Sequence, residues 1–312
     1  MINQYYHEEY PQNLTYNDIV FKEIGLEDRS IIVRYLNQDN FMISDISFGN
    51  LFIWRLARRI RFAIISDCLV IETTYSGKTP FIFFPIGTGD KLSCLRLLKK
   101  YYNSLGFPLE FHSLEKHNLE ILMNVFDEKN IESKMNRDRS DYIYLTQNLI
   151  DLAGRKYHKK KNHLNRFFEE YEGFSFEEIG DSNLVELQDT WNLWSRDSND
   201  DGLVNESNGI KSVFENYNAL HFRGGLLRFN NQIIAFSFGE VISDNLCIIH
   251  IEKANILYRG AYQAINQQLL QHCFNQIKYA NREEDLGIEG LRKAKLSYNP
   301  DIILEKYEAI VK

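Results

Sequence analysis

Strand-like and helix-like stretches alternate along this whole chain, and the alternation confines it to a mixed α/β architecture in which sheets bury one face against amphipathic helices. The pattern runs through two halves that look alike in kind. In the first, residues 66–74 and 79–86 read as strands joined by the turn Tyr75-Ser76-Gly77-Lys78. Leu92, Leu95, Leu98, Tyr102 and Leu105 then recur at helical spacing, as do Leu119, Leu122, Met123 and Phe126. Residues 140–146, with Tyr142 and Tyr144 on one parity, read as a strand closing this half. The second half opens with a cation-rich helix, a short strand over 173–179 and a helix striped by Leu184, Leu187, Trp191 and Trp194, with Asn183 and Glu186 spaced as a capping box. A hairpin follows, 225–229 and 233–241 about Asn230-Asn231, then a strand over 246–252. After Tyr258-Arg259-Gly260-Ala261 the stripe Ile265, Leu269, Cys273 and Ile277 predicts a helix to about residue 279. A length of 312 residues suits two domains, 1–150 and 151–312.

Composition narrows the functions. With 44% hydrophobic and 25% charged residues the chain lies outside the regime of disorder, and its 18 Tyr and 21 Phe require large buried ring clusters. A net charge of −7 rules out binding nucleic acid or an anionic membrane through overall charge, so any such contact has to be local. The apolar run 62–71 carries Asp67 and falls short of the roughly 20 residues that span a bilayer, so no transmembrane segment is expected. The start, Met-Ile-Asn-Gln-Tyr-Tyr-His, has neither the basic start nor the apolar core of a signal peptide, and the expected location is cytoplasmic. Cys68, Cys94, Cys247 and Cys273 sit among apolar neighbours without a Cys-x-x-Cys pair and read as buried free thiols. The eight His lack zinc-ligand spacing, and no metal site is expected.

Three segments could carry chemistry. Around Gly260, strand, loop and helix form a candidate anion site, since a helix start presents unpaired N–H groups to a phosphate or carbonyl; a plain helix-start turn accounts for the same residues. Glu252 and Lys253 end the preceding strand, where Glu252 is either a general base raised by desolvation or the acid of an ion pair that organises the loop. The run from Gly154 to Arg166 packs six cations and two His into one helix of an acidic protein. Such crowding fits either a solvated face or a phosphate-rich partner. In the polar block 281–300, Arg292, Lys293 and Lys295 flank a helix expected from about Leu291. Glu283, Glu284 and Asp285 precede it, placed to recognise an ammonium group or to pair with those same cations.

Ser47-Phe-Gly-Asn-Leu-Phe-Ile-Trp54, the basic run extended to Phe167, and Asn281 to Tyr298 together resemble an uncharacterised bacterial family. That family in turn resembles the C-terminal catalytic domain of phosphatidylglycerol lysyltransferases. The resemblance covers nearly the whole chain and implies two tandem acyl-CoA N-acyltransferase (GNAT) units, an arrangement shared with Fem-type peptidyltransferases that use aminoacyl-tRNA. It implies an aminoacyl- or acyltransferase acting on an amine or hydroxyl, with aminoacyl-tRNA or acyl-CoA as donor. The usual Gln/Arg-x-x-Gly-x-Gly/Ala loop of acetyltransferases is reduced here to Arg259-Gly260-Ala261, which leaves room for the tRNA donor.

On this reading Glu252, Asp285 and Arg282 are the catalytic set. Arg155, Lys159, Lys160, Lys161, Arg166, Tyr258, Arg259, Gly260, Arg292, Lys293 and Lys295 hold the donor and its phosphates, and Asn50, Trp54, Lys253, Glu283 and Tyr298 contact substrate. Expected partners are tRNA and, peripherally, anionic lipid. Two alternatives remain: a CoA-dependent N-acetyltransferase, and a non-catalytic protein binding RNA or an anionic headgroup.

Overall fold

The computed structural model describes residues 15–196 and 201–312. Its strands form two seven-stranded mixed sheets flanked by helices. Contacts divide the chain into two compact units, Met1–Asn40 with Arg58–Lys134 and Tyr307–Lys312, and Phe41–Ala57 with Met135–Lys306. The second unit therefore begins ahead of the expected boundary at residue 150. The cause is strand pairing: Asp141–Leu145, expected to close the first half, pairs antiparallel with Tyr279–Asn281 and with Ile302–Leu304 instead.

In the first unit Arg59–Ile65 and Cys68–Thr74 form an antiparallel hairpin, and a single parallel register pair, Ile82↔Phe111, joins Phe81–Ile82 to Leu109–Leu114. Lys91–Ser104 starts where the Asp90 carboxylate accepts from Ser93 N at 3.0 Å, and it buries Cys94, Leu95, Leu98 and Tyr102 against the sheet. Tyr102 Oη donates to Glu72 at 2.6 Å, and Arg61 pairs with the same carboxylate, so this buried acid is matched.

The second unit's sheet runs in the order Ile302–Leu304, Asp141–Leu145, Tyr279–Asn281, Leu246–Ala254, Gln232–Ser243, Arg223–Phe229, Ser175–Glu178. Asn230 and Asn231 both take positive φ, which suits the tight hairpin turn expected there. The helix Ala261–Cys273 lays Ala264, Ile265, Leu269 and Leu270 on the sheet, each fully buried, and a buried Ile or Leu contributes roughly 1.5–3 kcal/mol. It ends at Cys273, short of the expected residue 279, because Tyr279 is drawn into the sheet and donates its N–H to Asn245 O at 2.9 Å. The expected capping box at Asn183 does not form. The Asn183 amide turns back, accepting from Gly180 N at 3.0 Å and donating to Glu178 O at 2.9 Å, while Glu186 pairs with Arg228. All four cysteines are buried free thiols, and among the described residues no helix is long and apolar enough to cross a membrane.

Candidate active site

The centre of the second unit's sheet holds a split. Leu246–Ala254 and Tyr279–Asn281 run parallel for only three register pairs, ending at Ile248↔Asn281. Beyond Asn281 the chain stays with its other neighbour: Arg282 N donates to Tyr142 O at 2.9 Å and Tyr142 N donates to Glu283 O at 3.2 Å. Side chains bridge the widening gap. Arg282 Nε donates to Glu252 Oε2 at 2.9 Å, with Nη2 at 2.6 Å from the same oxygen, and His250 Nδ1 lies 2.8 Å from Glu283 Oε1.

These bridges lie on opposite faces because of a β-bulge. Phe238 pairs with Ile251 and Gly239 with Ile249, so His250 is an extra residue that shifts the alternation beyond it. Gly239 has no room for a side chain, since a Cβ there would lie 2.1 Å from Ile248 O. Without the bulge His250 and Glu252 would share a face. With it, Glu252 pairs with Ser237 on the side of the helix Ala261–Cys273, while His250 packs near Phe222 on the other.

On the helix side, Arg282 lies over the rings of Tyr298 and Tyr144, at 4.9 and 5.9 Å. Lys160 reaches in from the helix His158–Glu170 and places Nζ 4.2 Å from the centre of the Tyr298 ring. Burial lowers the Lys160 ammonium to about 8, with Arg282 adding to the fall and Glu252 opposing it. Burial pushes the Tyr298 hydroxyl up to about 12, so it stays protonated. Two groups keep unused valences: Glu252 Oε1 and Arg282 Nη1 are buried without a hydrogen-bond partner. An acceptor and a donor left open on one buried ion pair are what a bound ammonium and carbonyl require.

On the opposite face His250 also meets Glu240 Oε1 at 3.0 Å, and that oxygen accepts from Gly49 N at 2.9 Å. Asn50 Nδ2 donates to Glu283 Oε1 at 3.3 Å, so the expected substrate contacts Asn50 and Glu283 are joined around a histidine. Burial works against the charge of His250, but the bonds with Glu240 and Glu283 prevail and lift it to about 9. Trp54 is half-buried at the end of the helix Phe48–Trp54. Lys253 points away from the split and pairs with Glu206 at 2.6 Å.

Several expected ligand contacts serve the protein itself. Asp285, placed in the catalytic set, is fully buried, accepting from Arg292 Nε at 2.8 Å, Arg292 Nη2 at 2.7 Å, Gly287 N at 2.9 Å and the Tyr142 hydroxyl. Burial would raise this carboxyl, yet those donors hold it at about 2. Arg292, expected on phosphate, is taken up by Asp285 and by Asp138 at 2.7 Å. Lys295 corrects the same expectation: its Nζ donates to the carbonyls of Arg282, Glu283 and Glu284 at 2.5, 3.1 and 2.5 Å, which uses all three protons to shape the segment carrying Arg282. Lys293 is exposed.

Tyr258 packs on Tyr171 and Phe229 and donates to Gln232 at 3.3 Å, while Arg259 N donates to Tyr171 Oη at 3.1 Å. Gly260 has φ 90°, and a Cβ would lie 3.0 Å from Phe167 Cβ and 3.1 Å from His163 O, so this glycine seats one helix on another. Of the six cations in the basic run only Lys160 turns inward; Arg155, Lys156, Lys159, Lys161 and Arg166 are exposed.

The residues that sequence reasoning missed are Tyr144, His250 and Glu240. Tyr144 was visible as a parity partner of Tyr142, and His250 as a polar residue two positions before Glu252. Glu240 gave no local signal beyond interrupting an apolar strand.

Residues 40–310 match the family described as phosphatidylglycerol lysyltransferase, C-terminal. A conserved protein of unknown function from Bacteroides thetaiotaomicron VPI-5482 is 35% identical, with a TM-score of 0.88 over 94% of this chain and 100% of that one. The structure of L-PGS from Bacillus licheniformis gives a TM-score of 0.66 at 15% identity over 93% of each chain. A tandem GNAT protein from the clavulanic acid biosynthesis pathway gives 0.50 at 7% identity over 95% of this chain and 99% of that one, a likeness of fold alone. Among curated proteins, an uncharacterized protein of Mycoplasmoides gallisepticum (strain R(low / passage 15 / clone 2)) is 28% identical over 173 residues, covering 54% of this chain; the match spans 55% of that relative's length. With a match across most of its residues, the chain belongs to the phosphatidylglycerol lysyltransferase C-terminal family.

Proposed function

We propose that the protein transfers an aminoacyl group from the ester of an aminoacyl-tRNA to a hydroxyl or amine acceptor, at the split beside Glu252 and Arg282. One observation carries the reading: Glu252 Oε1 and Arg282 Nη1 are buried and unpartnered in a gap bridged only by side chains. Family membership and the likeness of fold to L-PGS support acyl transfer as the reaction class.

The chemistry follows from the charges. Arg282 holds Glu252 by one oxygen, Oε2, which leaves Oε1 to accept from the α-ammonium of an aminoacyl group. Arg282 Nη1 donates to the ester carbonyl oxygen, where negative charge grows as the acceptor attacks. Lys160, lowered to about 8, takes the acceptor's proton and returns it to the ribose oxygen that leaves. The ester bond breaks as the new ester or amide bond forms, and no other reactant is required.

The test is to incubate the purified protein with tRNA charged with labelled amino acids, against a panel of amine and hydroxyl acceptors. Transfer that falls at least tenfold in Glu252→Gln and in Lys160→Met supports the reading. Absence of transfer, together with thermal stabilisation by acetyl-CoA and not by charged tRNA, contradicts it and selects an N-acetyltransferase.

A further inference from the structure

The helix Ala261–Cys273 carries four glutamines and one asparagine, and the asparagine is the one the fold conceals. Gln263, Gln267, Gln268 and Gln271 are partly exposed, whereas Asn266 is 1% exposed. Neither Nδ2 nor Oδ1 of its amide has a hydrogen-bond partner among the described residues. Such an amide can donate two hydrogen bonds and accept two, and a buried one that makes none costs stability that a leucine in its place would not. A group held at that cost calls for a use.

The neighbours of Asn266 show what it faces. Tyr262 stands one turn earlier on the same stripe of the helix, near enough to Glu252 that, after burial, the carboxylate's charge raises its hydroxyl. Gln267, on the flank, donates from Nε2 to Ile150 O at 3.3 Å. Ile265 before Asn266 and Leu269 after it belong to the buried cluster that holds Tyr144 and Tyr298, the two rings over which Arg282 lies. Tyr157, in that cluster too, is 1% exposed and its hydroxyl is likewise unpartnered. Open polar atoms therefore recur beyond the Glu252–Arg282 pair, on the face of the sheet that carries it.

Charge and hydrogen bonding decide what these atoms suit. Arg282 and Lys160 already face Glu252, and the α-ammonium assigned to Glu252 Oε1 adds a further cation, so a cationic side chain would find no free acid. A carboxylate would set its oxygens against Asn266 Oδ1, and an apolar side chain would leave both amide atoms open. We propose that Asn266 is a specificity-determining residue of the transfer site, reading an aminoacyl side chain that is neutral and both donates and accepts hydrogen bonds, a carboxamide or a hydroxyl. The inference rests on the proposed transfer reaction and adds the class of amino acid that is moved.

The test is calorimetric titration of the full chain with amide-linked aminoacyl-adenosines carrying glutamine, asparagine, serine, threonine, leucine, lysine or glutamate. At least one of the first four is expected to bind roughly tenfold or more tighter than the last three, and the contrast between the amide pair and the hydroxyl pair tells the two chemistries apart. Asn266→Leu is expected to erase that preference with a melting temperature unchanged or raised, because it removes a buried group that has no partner. Leucyl or lysyl analogues binding as tightly as the polar ones, a preference that survives Asn266→Leu, or a marked fall in that variant's melting temperature overturns the assignment of Asn266 and leaves the transfer reaction standing. Binding of none of the analogues to the natural protein overturns the transfer reaction at this site and this inference with it.

Discussion

Two buried ion clusters in the same unit are built to opposite ends. Around Lys306, Asp141 accepts from Lys306 at 2.7 Å, Ser44 N at 2.7 Å, Ser44 Oγ at 3.0 Å and Asn281 Nδ2 at 2.9 Å, and Asp45 pairs with Lys306 and Arg139. Only Glu284 Oε2, 3.9 Å from Lys306, lacks a hydrogen bond there. Around Arg282 the pairing is partial, with one carboxylate oxygen and one guanidinium nitrogen left open. Satisfied buried charge fixes a structure, whereas unsatisfied buried charge lowers stability unless something else uses it. The first cluster is a fastening, and the second leaves open the acceptor and the donor that the proposed transfer reaction uses.

Mutation should separate the two. Lys306→Met strands Asp141 and Asp45 and is expected to cost about 3–5 kcal/mol, read as a large fall in the calorimetric midpoint. A fall as small as that of an exposed Lys variant would break the comparison. Glu252→Gln keeps an acceptor for Arg282 but removes its counter-charge, and is expected to cost less, about 1.5–3 kcal/mol, while cutting transfer roughly tenfold or more. Lys160 sharpens this: transfer should rise with pH through about 8 as its ammonium loses a proton, and Lys160→Met should flatten that limb.

His250, between Glu240 and Glu283, belongs with the fastenings. Its folded pKa of about 9 lies above the ordinary 6.5, so its contribution is fully present below about pH 6.5 and is lost as pH rises through 9. Melting across that window, with His250→Gln as control, should show the loss in the natural protein and a flatter profile in the variant. The smallest effect is expected at Gly260→Ala, about 1–2 kcal/mol from a strained φ and a tight approach to Phe167, with transfer retained.

Local periodicity made much of this architecture readable, including the hairpin at Asn230-Asn231 and the buried stripe Ile265, Leu269 and Cys273. The end of a strand drew attention to Glu252 and the basic run to Lys160, while Arg282 and Tyr298 entered with the polar block 281–300 and the family resemblance. What escaped depends on pairing between distant segments. The strand Asp141–Leu145 has a partner more than a hundred residues away, and nothing near it in sequence announces that choice. The bulge at His250 reverses which face Glu252 occupies, and a period of two cannot register one extra residue. Lys295 looked free because its partners, backbone carbonyls, become acceptors only once the chain has folded, whereas the Arg292–Asp285 pair was one of the two readings the polar block offered.

The most direct measurement is thermal stabilisation by an amide-linked aminoacyl-adenosine, a stable mimic of the charged end of tRNA, in the natural protein and in Glu252→Gln. The account predicts a concentration-dependent rise in melting temperature that vanishes in the variant, since Glu252 Oε1 is the acceptor offered to the α-ammonium. No rise in either protein, or an equal rise in both, would contradict the assignment of the split as the site of transfer.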